Sequence, residues 1–307
     1  MKAIALTTPG PPDVLEVVDL PEPTPGPGEV LVRVEAAAVN PTDTMLRTAG
    51  RGASSPTVPG MDAAGVVEAL GPDTRTDLEI GDAVMAIIVP DGQHGAYSSL
   101  VALPAESVTR TPEGASVLEA ATLPMNGLTA RLALDTLDLG PGATIAVTGA
   151  AGALGGYCIQ LAKADGLTVV ADAAEADERL VEALGADHVL RRGPGFAAAV
   201  RERCPEGVDG IVDAAVQLEE IVPAAADGAS IITIRGDEGE RERGVTFVPI
   251  WVVDHHREHD KLDTLRRQVE SGVLTLRVAD GLPKEEAPEA HRRLEAGGVR
   301  GRLVLEF

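Results

Sequence analysis

A glycine-rich segment between a predicted strand and a predicted helix constrains the fold of this chain more than any other part of its sequence. Residues 144–148 read Thr-Ile-Ala-Val-Thr, a run typical of a buried strand, and apolar side chains then recur at helical spacing over 154–162. The intervening segment reads Gly149-Ala150-Ala151-Gly152-Ala153-Leu154-Gly155-Gly156. Glycines at such a junction let the backbone turn tightly and approach a pyrophosphate, whose charge is held by N–H groups at the helix start.

This order of strand, glycine loop and helix predicts a dinucleotide-binding site. The strict G-x-G-x-x-G pattern is incomplete, since Ala150 stands at its first glycine and Gly149 precedes it. The candidate cofactor-binding residues of the loop are Gly149, Ala151, Gly152, Ala153, Leu154 and Gly155. The alternative interpretation is a tight turn between strand and helix that binds no ligand.

A second strand ends at Asp172, roughly 20 residues after the loop, where dinucleotide-binding proteins place the acid that contacts the adenosine ribose. Asp172 is therefore a further candidate cofactor-binding residue. Glu175, Asp177 and Glu178 follow it, and the first basic residue is Arg179. A 2′-phosphate would meet mostly like charge here, so these residues favour NADH over NADPH. The alternative is that Asp172 only caps the next helix.

Two kinds of pattern divide the chain. In the first part, short alternating segments such as 29–35 are separated by Gly and Pro, which predicts a barrel-like β domain. From about residue 122, buried strands alternate with helical segments, which predicts βαβ units and a doubly wound parallel sheet. After a helix at 260–271 the pattern returns to short strands, and the strand at 302–306 is expected to rejoin the first domain. The predicted domains are 1–121 with 271–307, and 122–270.

Charge and hydropathy exclude several classes of partner. The chain has 48 acidic and 26 basic residues and a formal net charge of -22, which repels phosphate backbones and anionic membrane surfaces. We therefore expect no nucleic-acid partner and no membrane partner. The first residues carry only a very short apolar run, and the apolar stretch 83–89 is far shorter than the ~20 residues that span a bilayer. The sequence predicts a soluble, cytoplasmic protein.

Several short motifs match one protein family, in order along nearly the whole chain. They are Val39-Asn40-Pro41-Thr42-Asp43, Pro59-Gly60-Met61-Asp62-Ala63-Ala64-Gly65-Val66-Val67, Gly81-Asp82-Ala83-Val84, Leu123-Pro124-Met125-Asn126-Gly127-Leu128-Thr129-Ala130, the Gly149 loop, Leu184-Gly185-Ala186-Asp187 and Gly301-Arg302-Leu303-Val304. Through these motifs the chain resembles the medium-chain dehydrogenase/reductase superfamily and, within it, the zinc-independent quinone oxidoreductase branch. Each motif alone is weak evidence for the family, whereas their order and spacing together are highly specific for it.

The resemblance implies a GroES-like β-barrel catalytic domain with the Rossmann domain inserted in it. It places Asn40 and Thr129 beside the nicotinamide and the substrate, as candidate catalytic and cofactor-binding residues. Thr42 is a candidate to pass a proton, and the alternative is an ordinary turn hydroxyl. Asp43, after the Asn-Pro turn, is expected to accept backbone N–H hydrogen bonds.

The resemblance also has implications for the choice of cofactor, for zinc binding and for dimerisation. The family leans to NADPH whereas the residues around Asp172 favour NADH, so both cofactors remain open. Zinc-dependent relatives carry Cys at the position of Asn40 and His-Glu at that of Met61-Asp62, and an amide and a thioether cannot replace these ligands. We therefore expect no zinc. Family members commonly dimerise by pairing the edge strands of their Rossmann sheets. The candidate edge is Val245 to Trp251, with an ordinary covered strand as the alternative.

These observations favour a zinc-independent NAD(P)H-dependent oxidoreductase that reduces a quinone, an enone or a similar conjugated carbonyl compound by hydride transfer. Two alternatives stay open. One is an alcohol dehydrogenase-type enzyme with altered metal use. The other is a cofactor-binding protein with little turnover, since the related zeta-crystallins of the lens show that this scaffold can be used structurally.

Overall fold

The computed structural model describes residues 1–49, 56–90 and 95–307. The chain divides into two compact units by its internal contacts. The first unit comprises Met1–Met125, Val253–Gly272 and Leu276–Phe307, and the second comprises Asn126–Val252 and Val273–Thr275. None of the described helices is both long and apolar enough to cross a membrane.

The strands of the described residues are numbered along the chain. They are β1 (Lys2–Ala5), β2 (Glu16–Asp19), β3 (Glu29–Ala38), β4 (Asp62–Leu70), β5 (Ala83–Ile87), β6 (Leu100–Pro104), β7 (Val108–Arg110), β8 (Thr144–Thr148), β9 (Thr168–Ala173), β10 (His188–Arg191), β11 (Val208–Asp213), β12 (Ala225–Thr233), β13 (Gly239–Glu240), β14 (Thr246–Pro249), β15 (Val278–Pro283) and β16 (Arg302–Glu306).

The α-helices are numbered in the same way. They are α1 (Pro41–Ala49), α2 (Val117–Ala120), α3 (Pro124–Leu137), α4 (Ala153–Ala164), α5 (Glu178–Ala183), α6 (Phe196–Arg203), α7 (His259–Glu270) and α8 (Ala287–Ala296).

The second unit is built on a sheet with the strand order β10-β9-β8-β11-β12-β14-β13. All neighbouring strands are parallel except β13, which runs antiparallel to β14. Strands of parallel sheets are covered on both faces, and β8 and β9 are accordingly buried over nearly their whole length. The sheet, with its helices, confirms the predicted Rossmann fold and its alternation of strands and helices.

The first unit contains a larger β sheet with the order β15-β16-β3-β4-β5-β7, in which β6 also pairs with β3. Most pairs are antiparallel, and β15 with β16 is the parallel one. The strand at 302–306 rejoins the first unit, as predicted, because β16 lies between β3 and β15. Buried aliphatic residues of β1, β3, β4, β5 and β16 form its core.

Two segments differ from the sequence-based expectation. The prediction of strands alone after residue 271 is wrong, because residues 287–296 form α8. Its Ala-Pro-Glu start suits a helix, but Leu294 is its only large apolar residue, so its hydrophobic signal in the sequence is small. Helix α7 lies within the first unit, whereas the expected boundary at residue 270 placed it in the second. Its Asp263 accepts a hydrogen bond from Thr109, which lies in β7 of the first unit.

Candidate functional site

The glycine loop of the second unit joins β8 to α4 in a tight turn. Gly149 adopts φ +65°, a left-handed conformation that glycine takes without strain. The N–H of Gly152, the N-cap of α4, donates to the carbonyl of Gly149 at 2.9 Å. A Cβ on Gly155 would lie 2.4 Å from the Gly149 carbonyl oxygen, so only glycine lets the helix begin this close to the strand. The first-turn N–H groups of α4 therefore face the end of β8, as pyrophosphate binding requires.

Asp172, on β9, lies beside this loop. Its Oδ1 accepts a hydrogen bond from the N–H of Ala150 at 3.0 Å, while its Oδ2 is buried and has no partner. Burial raises the pKa of Asp172, and the backbone N–H groups of Ala150 and Gly149 and the charge of Arg192 act in the opposite direction. The next helical segments have Ala174 and Asp177 as N-caps, so Asp172 does not cap them. An unpaired acceptor next to a glycine loop fits a ribose hydroxyl, which is a donor, once this carboxylate, 2% exposed here, becomes accessible.

The turn after β11 is a feature that the sequence did not predict. Thr148 at the end of β8 donates its hydroxyl proton to Asp213 Oδ1 at 2.6 Å, and Asp213 Oδ2 accepts the N–H of Leu218 at 2.8 Å. Within this turn Val216 has φ +57°, and a β-branched residue rarely adopts a left-handed conformation. Gly149 lies against the start of the turn, since a Cβ there would be 3.3 Å from the carbonyl carbon of Ala214. A strained turn therefore borders the glycine loop.

A buried polar cluster in the first unit contains Asn40. The amide of Asn40 donates to Asp62 Oδ2 at 2.9 Å and to the carbonyl of Ala38 at 3.3 Å, and its oxygen accepts from Arg302 at 2.8 Å. Arg302 also forms a buried ion pair with Asp62 at 2.9 Å. The side chain of Asn40 is 0% exposed, so it presents no open polar group to a ligand in this structure. The hydrogen bonds of Asn40 instead hold the start of α1 in place.

A second buried cluster, which we call the Asp43 cluster, adjoins the first and comprises Asp43, Tyr97 and His291. Asp43 accepts the backbone N–H groups of Asn40 at 2.8 Å and Gly60 at 3.0 Å, as the sequence predicted. The Tyr97 hydroxyl lies 3.4 Å from Asp43 and 3.1 Å from His291 Nε2. Burial raises the pKa of Asp43 to about 7, although the two N–H donors oppose this shift. Burial also lowers the pKa of His291 to about 3, so the ring is neutral.

The predicted site residues fall into two groups. Gly149, Ala151, Gly152, Ala153, Leu154, Gly155 and Asp172 come together in the second unit. Asn40 and Thr42 lie together in the first unit, where the Thr42 hydroxyl contacts the sulfur of Met61 at 3.2 Å. Thr129 lies on α3, in the second unit, with 7% of its surface exposed. The roles of Asn40, Thr42 and Thr129 remain predictions.

Metal-ligating side chains do not converge in the part of the chain that the structure describes, where no three of His, Cys, Asp and Glu are placed to hold an ion. The positions that carry zinc ligands in zinc-dependent relatives are occupied by Asn40 and by Met61-Asp62. Asn40 and Asp62 are bound to Arg302. The donor set at this place therefore does not fit zinc.

Two protein families and several known proteins are similar to this chain. Residues 26–113 match the alcohol dehydrogenase GroES-like domain, and residues 184–305 match the zinc-binding dehydrogenase family. The chloroplastic quinone-oxidoreductase QR1 of Triphysaria versicolor is 34% identical over 95% of this chain and 94% of its own length.

Two solved structures are similar to this chain over its whole length. A structure titled NAD-dependent alcohol dehydrogenase has a TM-score of 0.87 at 31% identity, with both chains covered completely. A mycobacterial protein complexed with NADPH has a TM-score of 0.89 at 28% identity, again over the whole of both chains.

Proposed function

The chain belongs to the medium-chain dehydrogenase/reductase superfamily, in its quinone oxidoreductase-like branch, and from this premise we propose that it reduces quinones, enones or similar conjugated carbonyl compounds. Its relatives support the broader class of an NAD(P)H oxidoreductase. The observation that carries the proposal is the glycine loop with the unpaired Asp172 Oδ2 beside it.

Different residues of the second unit would bind different parts of the cofactor. The start of α4 and the loop from Gly149 to Gly155 would hold the pyrophosphate, and Asp172 would accept from the adenosine ribose. A bound reduced nicotinamide supplies hydride to an electron-poor carbon of the substrate. The protein would then orient the substrate and exclude water, and it needs no metal to polarise an already activated carbonyl compound.

The test is reduction of a panel of quinones and enones by purified protein, with NADPH and NADH in separate assays. We expect the absorbance of the reduced cofactor to fall faster than without protein for at least one acceptor. If the cofactor binds and no acceptor is reduced, the protein binds cofactor with little turnover. Oxidation of an alcohol by NAD(P)⁺ together with stoichiometric zinc would instead support the alcohol dehydrogenase alternative.

Thr42 is the proposed proton donor, and α1 offers a matched control for it. Thr44 lies two residues further on, and its hydroxyl donates to the carbonyl of Pro41 at 2.8 Å. We expect Thr42→Val to lower kcat by about 100-fold, the usual scale of general acid catalysis, and Thr44→Val to leave kcat unchanged. If Thr42→Val keeps full kcat, the proton comes from solvent.

Dimer formation through the Rossmann sheet is part of the proposal. The edge predicted at Val245 to Trp251 is not the outermost strand of the sheet, because β13 pairs with β14 at Thr246 and Phe247. Trp251, just beyond β14, is 48% exposed and is the apolar residue that we propose for the contact. We expect light scattering to give the mass of two chains for the native protein and for Trp251→Phe, and of one chain for Trp251→Ser. A single-chain mass of the native protein would refute the dimer.

A further inference from the structure

A cleft in the first unit contains the buried side chain of Arg47 in its wall, and we call it the Arg47 cleft. Three elements meet there, which are the segment between β1 and β2, the last turn of α1 and the last turn of α8. The cleft has a volume of about 390 Å³ and is lined by Pro9, Gly10, Pro11, Pro12, Arg47, Thr48 and Glu295. Small-molecule sites have volumes of about 300–1,000 Å³, so the cleft is large enough for a ligand.

The guanidinium of Arg47 has one donor that no other group of the described residues accepts. Its Nη1 donates to the carbonyl of Gly10 at 2.7 Å and its Nη2 to Glu295 Oε1, whereas the buried Nε has no partner there. Nε and Nη2 share one edge of the planar guanidinium, and such an edge binds both oxygens of a carboxylate as a fork. Glu295 uses only the Nη2 half of this fork.

The two partners of this ion pair differ in exposure, since the side chain of Arg47 is 2% exposed and that of Glu295 is 39% exposed. A change of side-chain rotamer would therefore return the Glu295 carboxylate to water. The buried guanidinium needs a negative partner, because an unpaired buried charge is costly. A ligand carboxylate in place of Glu295 would supply that charge and would also satisfy Nε.

The acidic character of the chain does not exclude an anion at this place. The formal net charge of -22 acts at long range, and salt at 0.1 M screens it over about 10 Å. Asp13 and Glu289, the other acids near the cleft in sequence, are both paired with Arg292, at 2.9 and 3.0 Å. The balance of charge at short range is therefore set by Arg47 and Glu295.

We propose that the Arg47 cleft binds a small organic monocarboxylate, whose two oxygens take the Nε and Nη2 edge of Arg47 in place of Glu295. The hydrocarbon part of the ligand packs against the three prolines of the wall, which offer ring carbons and no N–H donors. This wall is fixed to α1 before binding, because the N–H of Gly10 donates to the carbonyl of Arg47 at 3.2 Å. All residues of the site belong to the first unit, whereas the glycine loop belongs to the second.

The test measures dissociation constants by isothermal titration calorimetry of the full chain with three probes, which are benzoate, acetate and benzamide. Acetate lacks the ring of benzoate and benzamide lacks its charge, so we expect benzoate to bind the native protein most tightly. Glu295→Gln removes the competing carboxylate and should tighten the binding of benzoate by about 10-fold. Arg47→Gln removes the fork and should abolish binding of benzoate.

Glu289→Gln is the matched control, because it removes a carboxylate of similar exposure, 46%, from the same helix, but one that is paired with Arg292. It should leave the dissociation constant for benzoate unchanged. The proposal is overturned if Glu295→Gln binds benzoate no more tightly than Glu289→Gln does, if benzamide binds as tightly as benzoate, or if folded Arg47→Gln still binds benzoate. Should Arg47→Gln fail to fold, the comparison of the two glutamate variants decides.

Discussion

The buried carboxyl of Asp43 should make the stability of the protein depend on pH. Its pKa is raised from 3.8 to about 7 by burial in the first unit. Because the folded state binds this proton more tightly than the unfolded state, Asp43 costs nothing below pH 3.8 and opposes folding increasingly as the pH rises to 7. Replacing Asp43 by Asn removes this titration while nearly preserving the size of the side chain.

The magnitude follows from the pKa shift. At about 1.4 kcal/mol for each pKa unit, the whole shift amounts to about 4 kcal/mol, of which about 1–2 kcal/mol is already present at pH 5. Between pH 5 and pH 8, the free energy of unfolding of the native protein should therefore fall by about 2–3 kcal/mol relative to Asp43→Asn. The variant also loses one acceptor for the N–H groups of Asn40 and Gly60, which costs about 1–3 kcal/mol at every pH.

The assay is urea unfolding of both proteins at pH 5, 6, 7 and 8. Asp209→Asn is the control, because Asp209 also accepts a backbone N–H, from Thr144 at 2.8 Å, but lies at the surface. Only the difference between native protein and Asp43→Asn isolates this group, since other carboxylates titrate as well. A difference that changes by less than ~1 kcal/mol between pH 5 and pH 8 would refute the reasoning.

Three further substitutions test other parts of the structure. Gly155→Ala places a Cβ 2.4 Å from the Gly149 carbonyl oxygen. This overpacking should cost about 1–3 kcal/mol of stability, which lowers the melting temperature, and it should also weaken the binding of NADPH. An unchanged affinity for NADPH would contradict the role of the loop. Asp62→Asn leaves the charge of Arg302 buried without its partner and should cost about 3–5 kcal/mol in urea unfolding, and a cost below ~1 kcal/mol would count against the buried pair. Val216→Gly removes left-handed strain and should raise the unfolding free energy by about 1 kcal/mol, so a decrease would refute strain at this turn.

The Rossmann sheet and its loop could be predicted because their signals are local. Parallel strands such as β8 are buried on both faces and appear in the sequence as short apolar runs. The glycine loop is local too, since Gly149 and Gly155 are needed for a turn that involves only neighbouring residues. The position of Asp172 also follows from the spacing of the fold, but its burial does not, because burial depends on how the loop folds over it.

The polar clusters of the first unit could not be predicted, because their members are far apart in the chain. Tyr97 lies 54 positions from Asp43 and 194 positions from His291. No periodic pattern links such residues, and only the folded sheet brings them together.

The placement of β16 between β3 and β15 has a consequence for how the molecule folds. Arg302, at the start of β16, contacts the carbonyl of Val39 across 263 positions of chain. Closing so long a loop carries a large entropic cost, and contacts of such separation form slowly. The continuous stretch Asn126–Val252 lies within this loop and forms a compact unit with its own core. Early folding of that stretch would shorten the effective loop, so we expect the nucleotide-binding unit to act as the folding template that lets the two halves of the β unit find each other.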